Sequence, residues 1–380
     1  MLKMDTELDL SFVLPARNEE ATIAEVIDKA KKAAESMKLK YEVIVADNSS
    51  DATPSIAREH GARVVVPDKL GYGYAYRYAF KHVRGKYIVM ADADGTYNLE
   101  ETPKLLEPLL KDEADVVLGT RLKGRILPGA MPWLHRYIGN PLLTFILNRF
   151  YGTRVSDAHT GFRALTRRAL EKLNLRSSGM DFASEFLIKA AYAQLRVKEI
   201  PIVYYPRRKG TSSKLSSFKD GWRHLKLMLL LAPKAIYYVP GVAIMIVGII
   251  LMFAALFRAN LGYSPGLHSS LLGSMLTIMG YSAVATGLIS DLYLAKVLGR
   301  YTSSLTELLV NRITVEKALA VASVLVTVGF AYTVYLFAEW VKSGFRYLPV
   351  RGENVIALTL IVLGVQTVVY AIAAHLISSE

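Results

Sequence analysis

The chain of 380 residues contains no cysteine. Disulfide staples and thiolate metal centres are therefore excluded. Its 7 histidines are scattered without metal-ligand spacing, so a histidine-based metal site is not indicated. An early apolar core of the signal-peptide kind is missing, and the N-terminal part is expected to stay in the cytoplasm. No basic-aromatic nucleic-acid motif appears, so no nucleic-acid partner is expected. The soluble part contains no internal repeat. Acidic residues are in deficit, with 33 Asp and Glu against 46 Lys and Arg.

What is present is unevenly spread. Hydrophobic residues make up 52% of the chain, and the excess lies in residues 231–380. Residues 1–230 hold 37 of the basic and 27 of the acidic side chains, a net charge of +10. A basic globular part joined to an apolar part suits an anionic lipid surface or phosphate-bearing substrates.

Along residues 1–200, short β-branched apolar runs alternate with helix-period segments. Strands are expected at Asp9–Leu14, Tyr41–Ala46, Ala62–Val66, Tyr87–Ala91 and Val116–Leu118. Helices are expected at Thr22–Glu35, from Gly71 to about Val83, at Glu101–Lys111 and at Asp181–Ala193. The alternation predicts right-handed βαβ units and a mostly parallel sheet. Open sheets of this kind bind ligands at the C-terminal strand edge. Polar residues recur there: Asn18, Asp47, Asp51, Asp92, Asp94 and Arg121. Asp92 and Asp94 are two apart, so in extended geometry their carboxylates point to one side. Paired hard oxygen ligands suit Mg²⁺ or Mn²⁺, which would neutralise a diphosphate leaving group. Each residue also has a plainer role. Asp51 and Ser50 can cap or turn the chain, and Gly71 and Gly73 can form a simple turn into a helix.

Taken in order, Pro15-x-x-Asn18-Glu19, Asp47-x-Ser49-x-Asp51, Gly71-x-Gly73-x-Ala75, Asp92-Ala93-Asp94 and Gly119-Thr-Arg121 resemble the family-2 inverting glycosyltransferases. The likeness is to the branch that charges polyprenyl phosphates, such as dolichyl-phosphate mannose and glucose synthases. It continues through Ser156-Asp157-x-x-Thr-Gly-Phe-Arg163, Asp181-Phe-x-x-Glu185 and the Arg208-to-Leu215 segment. The resemblance implies a GT-A domain, Rossmann-like and mostly parallel, over residues 1–215. It implies nucleotide-sugar binding by Pro15, Arg17, Asn18, Glu19, Asp47, Ser49, Asp51, Gly71, Gly73, Asp92, Ala93 and Asp94, with Asp47 on the base. Asp92 and Asp94 would hold the metal. Arg121, Arg163, Arg208, Ser213 and Lys214 would meet the diphosphate or the acceptor phosphate. Asp157, Arg121 and Asp94 would form the reacting centre, with Asp157 positioning or sharing a proton. Glu185 would orient Arg121 or Arg163, or lie in solvent. The chain departs from the family twice. Ala46-Asp47 replaces a pair of acids, and Arg208-Lys-Gly-Thr-Ser-Ser-Lys214 is one residue longer than the usual run.

Pro128–Phe150 is apolar but interrupted, and is expected to form a pair of helices on a membrane surface. Nine basic residues between Arg196 and Lys226, interleaved with Phe218, Trp222 and Leu225, predict an interfacial helix over 216–236. Four apolar stretches follow, at 239–257, 270–290, 319–338 and 355–376. Each is near the roughly 20 residues that cross about 30 Å of hydrocarbon. They predict an all-α, four-span domain over 237–380, in a cell or ER-type membrane, with both ends cytoplasmic.

The resemblance implies inverting transfer of a hexose to a polyprenyl or dolichyl phosphate, with glucose from UDP-glucose and mannose from GDP-mannose both open. Transfer to a lipid-linked glycan is a second enzyme reading. The Gln/Arg-x-x-Arg-Trp motif of processive synthases is missing. A scaffold or lipid translocator with a sugar-sensing domain is the non-enzyme reading. Self-association into a homo-oligomer stays open.

Overall fold

The computed structural model of the chain describes residues 8–208, 217–259, 264–298, 303–348 and 351–379. It divides into two units, Met1–Leu230 and Leu231–Glu380.

The first unit is built on β1 (Leu8–Ala16), β2 (Tyr41–Asp47), β3 (Arg63–Val65), β4 (Gly85–Met90), β5 (Val116–Ile126), β6 (Arg163–Thr166) and β7 (Val197–Tyr204). These form one sheet in the order β3-β2-β1-β4-β6-β5-β7. β1 pairs parallel with β2 and β4, β2 with β3, and β5 with β7. β6 runs antiparallel between β4 and β5. Leu10, Phe12, Val13 and Leu14 of β1 are all fully buried. A strand covered on both faces reads as a continuous apolar run, which is why these strands stood out in the sequence. α1 (Ile23–Ser36) packs Ile23, Val26, Ile27 and Ala30 inward, a stripe at helical spacing. α2 (Thr53–Glu59), α3 (Tyr72–Phe80) and α4 (Thr102–Leu110) complete the βα alternation. The fold is the expected GT-A type. β6 was not foreseen, and β5 runs eight residues past Leu118, to Ile126.

The apolar segment after β5 is a single helical run rather than a pair of helices. A π-helical turn, His135–Gly139, passes directly into α5 (Asn140–Tyr151). Pro141 lacks the N–H that would reach the Tyr137 carbonyl, and the backbone widens at that carbonyl. Only Thr144 and Leu147 of α5 are buried. Trp133, Tyr137, Leu142 and Phe145 stay exposed. α6 (Arg167–Leu173) and α7 (Phe182–Tyr192) follow. α8 (Ser217–Leu230) belongs to the first unit, so the boundary falls after residue 230 rather than 215. It buries His224 and Met228, one helical turn apart.

The second unit is helical: α9 (Val239–Leu256), α10 (Leu267–Leu298), α11 (Ser304–Arg312), α12 (Val315–Lys342) and α13 (Gly352–Ser379). Four helical stretches among the described residues are long and apolar enough to cross a membrane: Lys234–Leu256, Leu267–Lys296, Val315–Lys342 and Gly352–Ser378. A second π turn, Lys234–Tyr238, stands before Pro240, and it spans the carbonyl that this proline cannot satisfy. Glycines seven residues apart set the α9–α10 contact: Gly241 and Gly248 face Gly273 and Gly280. A Cβ on Gly248 would lie 2.6 Å from the Gly273 carbonyl oxygen, and one on Gly280 would lie 2.5 Å from that of Gly241. Bilayer packing of helices favours such close backbone approach.

Gly280→Leu is expected to destabilise the second unit by about 1–3 kcal/mol through overpacking. Thermal unfolding of the full chain in detergent checks this. Gly266→Ala, where no atom lies within 4 Å of the added Cβ, should leave the midpoint unchanged.

Candidate active site

The loops after β1, β2 and β4 meet at the C-terminal edge of the sheet and hold one another by hydrogen bonds. Pro15 is paired with Ala46 in the last turns of β1 and β2. Arg17 is exposed. Asn18 adopts a left-handed φ of 53°, a conformation asparagine tolerates. Its backbone N–H donates to Ser49 Oγ at 2.7 Å, and its Oδ1 accepts from Ser50 N at 2.9 Å. Ser49 in turn donates to the buried Asp47 through both its hydroxyl and its N–H. Glu19 is buried, and its N–H donates to Thr53 Oγ1 at 2.9 Å. Asp51 accepts from Thr53 N at 3.0 Å and Glu20 N at 3.3 Å. It therefore fastens the start of α2 to the first loop, the plainer of its two expected roles.

Gly71 and Gly73 serve packing. Gly71 has φ 148°, and a Cβ there would lie 2.3 Å from the Ser178 carbonyl oxygen. A Cβ on Gly73 would lie 2.6 Å from the Ser177 carbonyl oxygen and 2.7 Å from Phe182 Cβ. Their absent side chains let α3 dock on the loop before α7. Tyr72 between them does reach the site, donating to Asp92 Oδ1 at 2.8 Å.

Asp92, Ala93 and Asp94 sit just past β4. The Ala93 carbonyl accepts from Thr22 Oγ1 at 2.8 Å, tying this loop to the start of α1. Asp94 Oδ1 accepts from Thr96 N at 3.0 Å and Thr96 Oγ1 at 2.6 Å. Its Oδ2 pairs with the guanidinium of Arg207. Asp92 Oδ2 lies over Gly161, where a Cβ would approach it to 2.7 Å. Burial and the nearby Asp94 push the Asp92 carboxyl up to about 7. No third His, Cys, Asp or Glu joins the two acids among the described residues. Two neighbouring carboxylates, only one of them met by a cation, fit a hard divalent ion whose other ligands are substrate oxygens and water.

Arg121 and Asp157 form a buried, two-pronged ion pair. Arg121 Nε donates to Oδ2 at 2.7 Å and Nη2 to Oδ1 at 2.8 Å, while the Arg121 backbone N–H reaches Oδ2 at 3.1 Å. The guanidinium stacks over Tyr204 at 5.1 Å. Burial alone would raise the Asp157 pKa, but Arg121 outweighs it and holds the carboxyl below its ordinary range. Glu199 Oε1 accepts from Ser156 N at 2.6 Å and Asp157 N at 3.2 Å. Tyr97 Oη accepts from Gly161 N at 2.7 Å.

Two expected phosphate ligands, Arg163 and Arg208, donate to backbone carbonyls. Arg163 is 1% exposed. Its guanidinium donates to the carbonyls of Thr160, Ala158 and Ala183 and lies 4.7 Å from the Phe186 ring centroid. It braces the loop from behind, because a cation inside the domain needs every donor met by an oxygen. Arg208 donates to the Ala21 carbonyl. It is Arg207, its neighbour, that reaches the acidic pair. Ser213 and Lys214 lie outside the described residues. Glu185 orients neither Arg121 nor Arg163. It is buried, accepts from Arg176 N and Ser177 N, and pairs with Lys189 at 2.8 Å. Tyr72, Thr96, Gly161, Glu199 and Arg207 are site-building residues that the sequence motifs left unassigned. Gly161 and Glu199 lay within family-like stretches without a role assigned to them, and Arg207 had a signal as part of the basic run beside Arg208.

On the far side of Asp157, Ser184 Oγ lies 2.7 Å from His224 Nδ1. Burial pushes His224 down to about 4, against the pull of Asp181 and Asp220 and with help from Arg163.

The family model for glycosyl transferase family 2 matches residues 11–174. The family 2 C-terminal transmembrane region matches residues 288–378. The low-salt glycan biosynthesis hexosyltransferase Agl6 of Haloferax volcanii is 43% identical over 371 residues, spanning 97% of this chain and 89% of that protein. A dolichyl-phosphate hexose transferase of the same organism is 34% identical over 215 residues, 56% of this chain and 89% of that protein. Glucosyl-3-phosphoglycerate synthase from Mycobacterium tuberculosis, solved with Mn²⁺, UDP and glucosyl-3-phosphoglycerate, matches with a TM-score of 0.48 at 24% identity, over 60% of this chain and 80% of that one. The chain belongs to glycosyltransferase family 2. Within it, the chain is an integral membrane hexosyltransferase.

Asp157→Asn would leave the Arg121 charge buried without a counter-ion. It is expected to destabilise the first unit by about 3–5 kcal/mol, measured by denaturant unfolding of the full chain. The His224 pKa is lower folded than unfolded, so its contribution holds above about 6.5. That contribution is lost as pH falls from there through about 4. The unfolding midpoint of His224→Phe should fall less over that window than the native chain's.

Proposed function

We propose that the chain transfers a hexose from a nucleotide-sugar to the phosphate of a polyprenyl or dolichyl lipid, with inversion at the anomeric carbon. One observation carries the reading: at the C-terminal edge of the sheet, an acidic pair that suits a metal diphosphate stands beside a buried arginine. In the acceptor step, a phosphate oxygen forms the bond to the anomeric carbon as the bond to the diphosphate breaks. A divalent ion held by Asp92 and Asp94 would neutralise the leaving diphosphate. Asp47, the 15–19 loop and Ser49 are suited to enclose the nucleoside. Arg207 is within reach of the diphosphate, since it already lies against Asp94. The Nε and Nη2 hydrogen bonds to Asp157 fix the plane of the Arg121 fork and leave its Nη1 end for an acceptor phosphate. Asp157 is fully enclosed with both oxygens engaged by Arg121, so it is suited to position that guanidinium rather than to take a proton. No general base is required, because a phosphate monoester has a second pKa of about 6 and arrives as an anion.

The lipid acceptor is supported by the name of the dolichyl-phosphate relative and by exposed aromatic side chains on the helical run from Trp133 through α5 and on α8. Trp133, Phe145, Phe218 and Trp222 are each at least 60% exposed, as interfacial anchors are. In this reading the first unit lies on the cytoplasmic side of the membrane. Transfer to a lipid-linked glycan is a second reading, favoured by the name of the glycan-biosynthesis relative that spans 97% of this chain.

Labelled UDP-glucose and GDP-mannose, offered with dolichyl phosphate or with a lipid-linked glycan, separate the donors and the acceptors. The expected product is an organic-extractable lipid phosphate sugar. It should be lost with EDTA and reduced about a hundredfold or more by Asp94→Asn. A product formed only on the glycan would establish the second reading. Unchanged transfer by Asp94→Asn would overturn both.

A further inference from the structure

α8 reaches the reacting centre through side chains that the mechanism above does not use. His159 N–H donates to Asp157 Oδ1 at 3.3 Å. The His159 ring then turns away from the site, and its Nε2 lies 3.4 Å from Ser184 Oγ on α7. The same hydroxyl lies 2.7 Å from Nδ1 of His224 on α8. The two imidazoles meet edge to face, with centroids 4.4 Å apart. Ser184 is fully buried and His224 is 6% exposed.

The hydrogen bonding fixes the proton positions. One hydroxyl proton cannot serve two rings, so Ser184 donates to one and accepts from the other. His159 Nδ1 is buried without a partner. A bare lone pair is cheaper to bury than an orphaned N–H, so His159 carries its proton on Nε2 and gives it to Ser184. Ser184 then donates to His224 Nδ1. Both rings are neutral, in agreement with the fall that burial imposes on each pKa.

This line of contacts runs from α8 to Asp157 and, through its ion pair, to Arg121. The opposite face of α8 presents Phe218 and Trp222, 87% and 60% exposed, with exposed Lys219, Arg223 and Lys226 beside them. That face suits an anionic lipid surface. An apolar seat for α8 would be easier to bury, but greasy contacts permit rotation and slippage. A hydrogen-bonded histidine fixes one seating.

We propose that His159, Ser184 and His224 are positioning residues that make an ordered Asp157–Arg121 pair depend on the seating of α8. The catalytic consequence rests on the acceptor reading above; the structural coupling does not.

The test uses the full chain in nanodiscs containing anionic lipid. His224→Phe keeps a ring and removes Nδ1, Ser184→Ala removes the hydroxyl, and His224→Asn restores a polar atom near Nδ1. In the first two variants, amide hydrogen exchange over residues 157–161 should rise about tenfold while β1 is unchanged. Transfer to lipid phosphate at saturating donor should fall about tenfold, with KM for the nucleotide-sugar held within about twofold. His224→Asn should recover most of both losses. Unchanged exchange over 157–161 in both variants, or an equal rise in β1, would overturn the coupling. If the native chain transfers nothing to lipid phosphate, the acceptor reading falls and the exchange result still decides the coupling.

Discussion

The Arg121–Asp157 pair fixes the geometry of the site. Both groups are buried, Arg121 at 7% exposure and Asp157 at 0%. Two such charges persist away from water only when their geometry is good and the remaining hydrogen-bonding capacity is met. Here the guanidinium and the Arg121 backbone both bind the carboxylate, and Glu199 binds the backbone of the loop that carries it. β5, β7 and the 156–160 loop are thereby held together at the point where the β5–β7 register shifts, between Thr120 and Arg125. The pair also limits the chemistry. With both oxygens engaged by Arg121 and no exposed surface, the Asp157 carboxylate is poorly placed to take a proton from an acceptor. On the proposed reading, an acceptor phosphate that is already an anion suits such a site.

The central strands and the Asp92/Asp94 pair were legible because burial on both faces leaves a continuous apolar run that stops at the ligand edge. β6 was not. It has four residues, Arg163–Thr166, and runs antiparallel between two distant neighbours, so its pattern depends on long-range pairing. Arg163 misled for a related reason. A motif records which residues occur, not which way they face, and this guanidinium faces carbonyls inside the domain. The shift from Arg208 to Arg207 is of the same kind. Adjacent arginines are equivalent in a sequence, while the path of the chain after β7 gives one to Asp94 and the other to the Ala21 carbonyl.

In the second unit, length and hydropathy gave the four long apolar helices but neither α11 nor the helix contacts. The contact pattern was nevertheless present, as glycines at 241 and 248 and at 273, 280 and 287. Each pair is seven residues apart and so falls on one helix face. Lipid tails are as apolar as leucine, so apolar content cannot say which helix face meets another. Close backbone approach at small residues can. The two prolines, Pro141 and Pro240, act alike. Each removes one N–H from a helix, and each is preceded by a π-helical turn rather than by a break in the helix.

The acidic pair at the end of β4 is electrostatically unequal. Asp94 is met by Thr96 and by the Arg207 guanidinium; Asp92 has one tyrosine hydroxyl among the described residues, and its pKa is pushed up to about 7. The chain thus supplies a cation for one carboxylate and leaves the other short. On the proposed reading, an incoming diphosphate would bring further negative charge and compete with Asp94 for Arg207. If Arg207 turned to the diphosphate with nothing in exchange, two unscreened carboxylates would face each other in a partly buried site, at a cost of several kcal/mol. Arg207 can move at low cost if Asp92 takes up a proton or if positive charge arrives with the substrate. On the proposed reading, a divalent ion arriving with the nucleotide-sugar would supply that charge, and Arg207 occupies Asp94 until it comes.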